Sequence, residues 1–98
     1  MKNLKTIILM KEVTGTVTND EGLALFLAID KEFSEGNCVK LSLEKATTFS
    51  SSFLNSSIGE LIVKYGVKTL KSNLIIVNYQ PSRLNQIRAY IEKIKDLA

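Results

Sequence analysis

Three short apolar runs, at residues 4–10, 38–43 and 74–79, are each followed downstream by a stretch with helical periodicity, and this alternation constrains the fold more than any other feature. Apolar and β-branched runs of four to eight residues bounded by turn signals mark strands, and apolar positions recurring every three or four residues mark one side of a helix. Strands separated by helices pair in parallel, because a parallel neighbour is reached only through a long crossover. The chain has 98 residues, enough for one core and too few for two. The expected fold is α/β: a single domain, residues 1–98, with a central mixed or mostly parallel sheet of four strands and three helices.

The first run, residues 4–10, reads as a strand buried on both faces. Residues 12–18 alternate Val13, Gly15 and Val17 with Thr14, Thr16 and Thr18, a period of two that fits either a half-exposed strand or an extended loop. Thr18 and Glu21 have the spacing of a capping box, so a helix should run from there to about Phe33, burying Leu23, Phe26, Leu27, Ile29 and Phe33. Gly36 suits the left-handed position after it. Residues 38–43 form the next strand, with Val39, Leu41 and Leu43 on one face.

A second helix should span residues 51–65. Its positions Leu54, Ile58, Leu61, Ile62 and Tyr65 form one stripe, flanked by Phe53 and Val63. Gly59 inside it implies close approach to the sheet, and Gly66 suits its C-terminal end. Residues 67–73 read as a polar connection with Leu70 tucked inward, and residues 74–79 as a strand. Pro81 fits the first position of a last helix, whose stripe is Leu84, Ile87, Ile91, Ile94 and Leu97.

The segment 46–66, ATTFSSSFLNSSIGELIVKYG, carries whatever chemistry the sequence advertises. It sets a hydroxyl-rich loop against the start of a helix. A serine nucleophile needs a histidine or lysine base, and there is no histidine; a pair with Lys45 or Lys64 has neither spacing nor context in its favour. One cysteine and no histidine leave no zinc pattern, and the five glycines make no phosphate-binding loop. No catalytic residue, metal or cofactor is expected. Ser50 reads as the N-cap and the following serines as first-turn residues.

The stretch VKLSLEKATTFSSSFLNSSIGELIVKYG resembles the STAS-like domain family of unknown function, in which a strand ends near an acidic residue and a Ser-Ser-Ser-Phe turn opens a helix with an internal glycine. The Gly-Thr-Val-Thr before it and LIIVNYQPSRLNQI after it extend the likeness over residues 14–91. The wider STAS fold of bacterial anti-sigma-factor antagonists implies a protein-interaction module with a phosphorylated serine in the turn. A gapless superposition of the two motifs puts that serine on Ser51, with Ser50 in place of its preceding aspartate and Phe53 in place of a glycine. The resemblance implies a non-catalytic regulatory module. Its contact set would be Thr48, Ser50, Ser51, Ser52 and Asn55, with Phe49 or Phe53 as an apolar anchor. The partner would be a histidine-kinase-like ATPase or another regulator of a bacterial signalling switch.

Charge sets the remaining expectations. Residues 1–49 carry a net −1 and residues 50–98 a net +4, within a total of +3. The alternative function is a nucleic-acid accessory domain using Arg83, Arg88, Lys93 and Lys95 on the last helix, although these cations lack interleaved aromatic residues. A third is self-association through an edge strand at residues 13–17. The longest apolar run, residues 7–10, is far short of a bilayer span and is followed by Lys11 and Glu12 rather than a cleavage site. The single Cys38 suits a reducing compartment, so a cytoplasmic location is expected.

Overall fold

The computed structural model describes residues 3–97, with side chains described as far as Lys95. Strands β1 (Leu4–Ile8), β2 (Cys38–Ser42) and β3 (Leu74–Val77) form one sheet in the order β1-β2-β3, and both pairs are parallel. Helices α1 (Leu9–Glu12) and α2 (Asn19–Ser34) connect β1 to β2. Helix α3 follows β2 and has three parts: an α-helical turn Ser51–Leu54, a π-helical segment Asn55–Gly59 and an α-helical stretch Glu60–Tyr65. Helix α4 (Val67–Asn73) leads into β3, and α5 (Pro81–Leu97) ends the chain. Among the described residues no helix is long and apolar enough to cross a membrane.

The α/β class and the parallel sheet match expectation, but the described residues hold three strands and five helices rather than four and three. Residues 12–18 are not a strand. The helical turn α1 ends at Glu12, and the irregular loop beyond it buries Val13 and Thr16 while Val17 stays exposed. Its alternation marks an extended loop that packs on a neighbouring loop, so residues 13–17 offer no strand edge for self-association. Residues 67–73, expected to be a connection, are helical because Leu70 is a buried anchor, only 1% exposed. The apolar run at residues 4–10 also splits, with fully buried Leu9 turning the chain out of β1.

Strand order explains where the helices lie. Crossovers between parallel strands are right-handed, and two of them stepping the same way across a sheet put their helices on one face. Helices α2 and α3 therefore share a face and pack on each other. Ile7, Val39 and Leu41 point into that layer and meet Ile29, Phe53 and Ile58 in the core. Full burial of such a side chain contributes about 1.5–3 kcal/mol. The strand β1 was expected to be buried on both faces; it is buried on one.

The capping box forms as read: Glu21 N–H donates to Thr18 Oγ1 at 3.2 Å and Thr18 N–H to Glu21 Oε1 at 3.1 Å. The rotation of α2 differs from expectation. Gly22, Leu25 and Ile29 are buried, whereas Leu23 and Leu27 are 47% and 54% exposed. The cause is the backbone of α3: a Cβ on Gly22 would lie 2.6 Å from Phe53 O, so the glycine face must turn toward α3. Gly59 likewise serves helix–helix contact and not the sheet, because its missing Cβ leaves room for the Tyr90 hydroxyl of α5. On α5, Leu84, Ile87 and Ile91 are buried and Ile94 is half-buried; the Leu97 side chain lies outside the described residues.

Candidate functional site

The hydroxyl-rich turn leaves the C-terminal end of the central strand, the end at which open α/β sheets hold their ligands. After β2, Leu43 N–H donates to Val77 O, and the chain turns at Lys45, whose φ of 63° is left-handed. It then runs extended to Ser50, the N-cap of α3, whose Oγ accepts from Phe53 N–H at 3.0 Å. The same hydroxyl donates to Val17 O, and Ser50 N–H donates to Thr16 O. Thr16 is fully buried; its hydroxyl donates to Thr48 O at 3.0 Å and lies 3.0 Å from Thr47 Oγ1. Loop 13–18 thus holds the turn from one side.

Helix α5 holds it from the other. Gln86 brackets Phe49, its Oε1 accepting from Phe49 N–H at 3.2 Å and its Nε2 donating to Phe49 O at 3.4 Å. Arg83 donates from Nη1 to the same Gln86 oxygen at 2.8 Å and from Nη2 to Ser82 Oγ at 3.2 Å. Its Nε is buried with no hydrogen-bond partner, a donor left unmet at the edge of the turn. Tyr90 donates to Asn55 Oδ1 at 2.7 Å, and burial raises the pKa of this phenol, so it stays protonated at neutral pH.

These contacts sort the five candidate residues. Thr48, Ser51, Ser52 and Asn55 are exposed, and Ser51 and Ser52 open the first turn of α3. Ser50 is half-buried and fully engaged as the cap. Asn55 has its carbonyl oxygen taken by Tyr90. Phe49 and Phe53 are buried at 5% and 1% exposure with parallel rings 5.5 Å apart, so neither is a surface anchor. Their burial is what fastens the turn to the core and leaves the hydroxyls outside. Ser56 and Ser57 turn their hydroxyls back to backbone carbonyls of α3, Ser56 to Ser52 O at 2.8 Å and Ser57 to Phe53 O at 2.7 Å.

Thr16, Gln86 and Tyr90 escaped the sequence reading because each acts across more than thirty residues. The only trace of Thr16 was its place in the threonine alternation. The four cations of α5 do not form one stripe. At 100° per residue, steps of five, five and two residues scatter Arg83, Arg88, Lys93 and Lys95 around the helix. Arg83 is half-buried in the turn, and Glu92 lies between Lys71 at 3.2 Å and Lys95 at 4.0 Å. A groove of about 460 Å³ opens between β3, α4 and α5, lined by Leu70, Leu74, Ile76, Leu84, Ile87 and Ile91. None of its lining residues belongs to the turn.

No curated protein and no solved structure was found to match the chain. A family model does, over residues 21–83, and its description is STAS-like domain of unknown function (DUF4325). The match starts at Glu21, in the first turn of α2, runs through β2, the serine turn, α3, α4 and β3, and stops at Arg83. It spans well over half of the 98 residues, and the chain belongs to this family of STAS-like domains.

Proposed function

We infer that the protein is a non-catalytic, cytoplasmic regulatory module that docks on a protein partner through the turn and the start of α3. One observation carries the reading. Ser51 and Ser52 are exposed on the first turn of a helix whose N-cap, Ser50, is locked by three hydrogen bonds. A surface held this way loses little entropy on binding, which favours specific recognition by a partner.

Thr48, Ser51, Ser52 and Asn55 form the contact set, with Ser50 as its internal support. Ser51 is the phosphoacceptor in this reading. A phosphate there would sit at the positive end of α3 and add about −1.5 to −2 charge to the surface a partner reads. The Arg83 guanidinium is linked to the turn through Gln86. The partner class is a histidine-kinase-like ATPase or another regulator of a signalling switch.

Mass spectrometry of the protein isolated from its native host should find phosphate on Ser51. Affinity capture should retain a partner on one form, wild type or Ser51→Asp, and not on the other. Unmodified serines together with equal capture by both forms would end this reading.

A further inference from the structure

The sheet has a second face, and among the described residues no helix covers it. Strand alternation and the observed register put Leu4, Thr6 and Ile8 of β1, Cys38, Lys40 and Ser42 of β2, and Ile75 and Val77 of β3 on that side. Of these eight only Ser42 is buried, at the C-terminal end of β2, where Asn78 Nδ2 donates to its hydroxyl at 3.0 Å; Leu4 and Ile75 are 49% and 48% exposed. Purely parallel sheets are almost always covered on both faces. At the centre of this bare face stands Lys40, half-buried and, among the described residues, without an ion-pair partner.

The helix layer on the other side of the sheet exposes a complementary patch. Leu23 and Leu27 lie one turn apart on α2, Val17 in its lead-in is 60% exposed, and Asp20 is exposed one turn before Leu23. At 100° per residue this row lies opposite Leu25 and Ile29 on the helix, so it points away from the core. Seven large apolar side chains are exposed among the described residues, and five of them fall in these two patches. That clustering separates them from ordinary scattered surface residues.

We propose that the two patches are the halves of one contact between copies of this chain: α2 of one copy lies across the open sheet face of the next, with Asp20 against Lys40. Dimensions agree. Asp20 to Leu27 spans about 10 Å of helix, and three strands are about 10 Å across. Leu23 and Leu27 would cover Leu4, Ile75 and Val77, giving the parallel sheet its second helical layer. Lys31, on the same row, is about 16 Å beyond Asp20 and clears the centre of the sheet. Charge selects this pairing over a symmetric sheet-to-sheet one. Sheet against sheet would oppose Lys40 to its own copy, whereas helix against sheet joins opposite signs.

Because the two patches face opposite ways, the contact is heterologous and extends into a stack or closes into a ring. The surfaces are small, so association is weak. The inference is independent of the serine turn, which belongs to neither patch.

Sedimentation velocity from about 10 µM to about 1 mM covers the affinity range expected of such an interface. The wild-type sedimentation coefficient should rise across that range, and Lys40→Glu should shift the onset to about tenfold higher concentration. The decisive pair is Leu23→Ser/Leu27→Ser, which keeps only the sheet half, and Leu4→Ser/Ile75→Ser, which keeps only the helix half. All four positions are exposed, and circular dichroism would verify folding. Each variant alone should remain monomeric, and an equimolar mixture should form a two-chain species. A wild-type protein that is monomeric throughout, or a mixture no heavier than its components, would overturn the proposal.

Discussion

Thr16 and Ser50 on one side, and Ser51 on the other, separate hydroxyls that build the turn from those that face outward. The buried Thr16 hydroxyl bonds to the opposing loop, and Ser50 caps α3 while bonding back to Val17 O. Thr16→Val leaves buried polar groups of the turn unmet, which should cost about 1–3 kcal/mol. Ser50→Ala removes the cap and should cost about 1 kcal/mol. Ser51→Ala, at an exposed position, should stay within about 0.5 kcal/mol of wild type. Urea unfolding of the three variants checks all three values, and an Ser51→Ala loss as large as that of Ser50→Ala would mean that Ser51 is structural. The sequence placed Ser50 as a cap from its local spacing. It could not show that Phe49 and Phe53 are both core, since either ring could have faced out on periodicity alone.

At the scale of elements, the contact between α2 and α3 decides most of what the sequence left open. Gly22 sits against Phe53 O and Ser56, and a Cβ there would lie 2.6 Å from the carbonyl and 3.0 Å from Ser56 Cβ. Gly22→Ala should therefore destabilise by about 1–3 kcal/mol. Adding Ser56→Ala should recover only part of that loss, because the carbonyl stays in place; thermal unfolding of single and double variants measures it. The far ends of the same two helices are tied by Asp30, whose Oδ1 accepts from Lys64 Nζ at 2.7 Å and from the Tyr65 hydroxyl. The hydrogen bond from Lys64, then that from Tyr65, holds the Asp30 carboxyl below its usual range. Glu21 and Glu92 are shifted the same way, by the Thr18 amide and by Lys71. A carboxylate whose pKa is lowered on folding contributes stability above its unfolded value, and that stability is lost as pH falls through the folded value. Urea midpoints should therefore drop below about pH 4, and less steeply in Asp30→Asn. A profile unchanged by Asp30→Asn would remove Asp30 from this account.

For the molecule as a whole, β2 is the element on which the others close. It pairs on both sides, and Val39 and Leu41 are fully buried. Its amides should exchange hydrogen most slowly, near the rate set by global unfolding, while those of loop 13–18 exchange by local opening. Native-state exchange by NMR tests this, and slower exchange in β1 than in β2 would contradict it.

Patterns internal to one segment were decided by the sequence: the α/β alternation, the Thr18 capping box, the Gly36 and Gly66 turns, the cap at Ser50 and the stripe of α5. Propensity, capping and periodicity act over a few residues, so they are readable without a fold. Which face of α2 turns inward, that residues 12–18 are a loop, that α4 exists, and that one sheet face lies bare were decided by contacts between distant segments. The sequence offers Leu23 and Leu27 as core residues because they are leucines at helical spacing. Only the close approach of Gly22 to the backbone of α3 turns them outward.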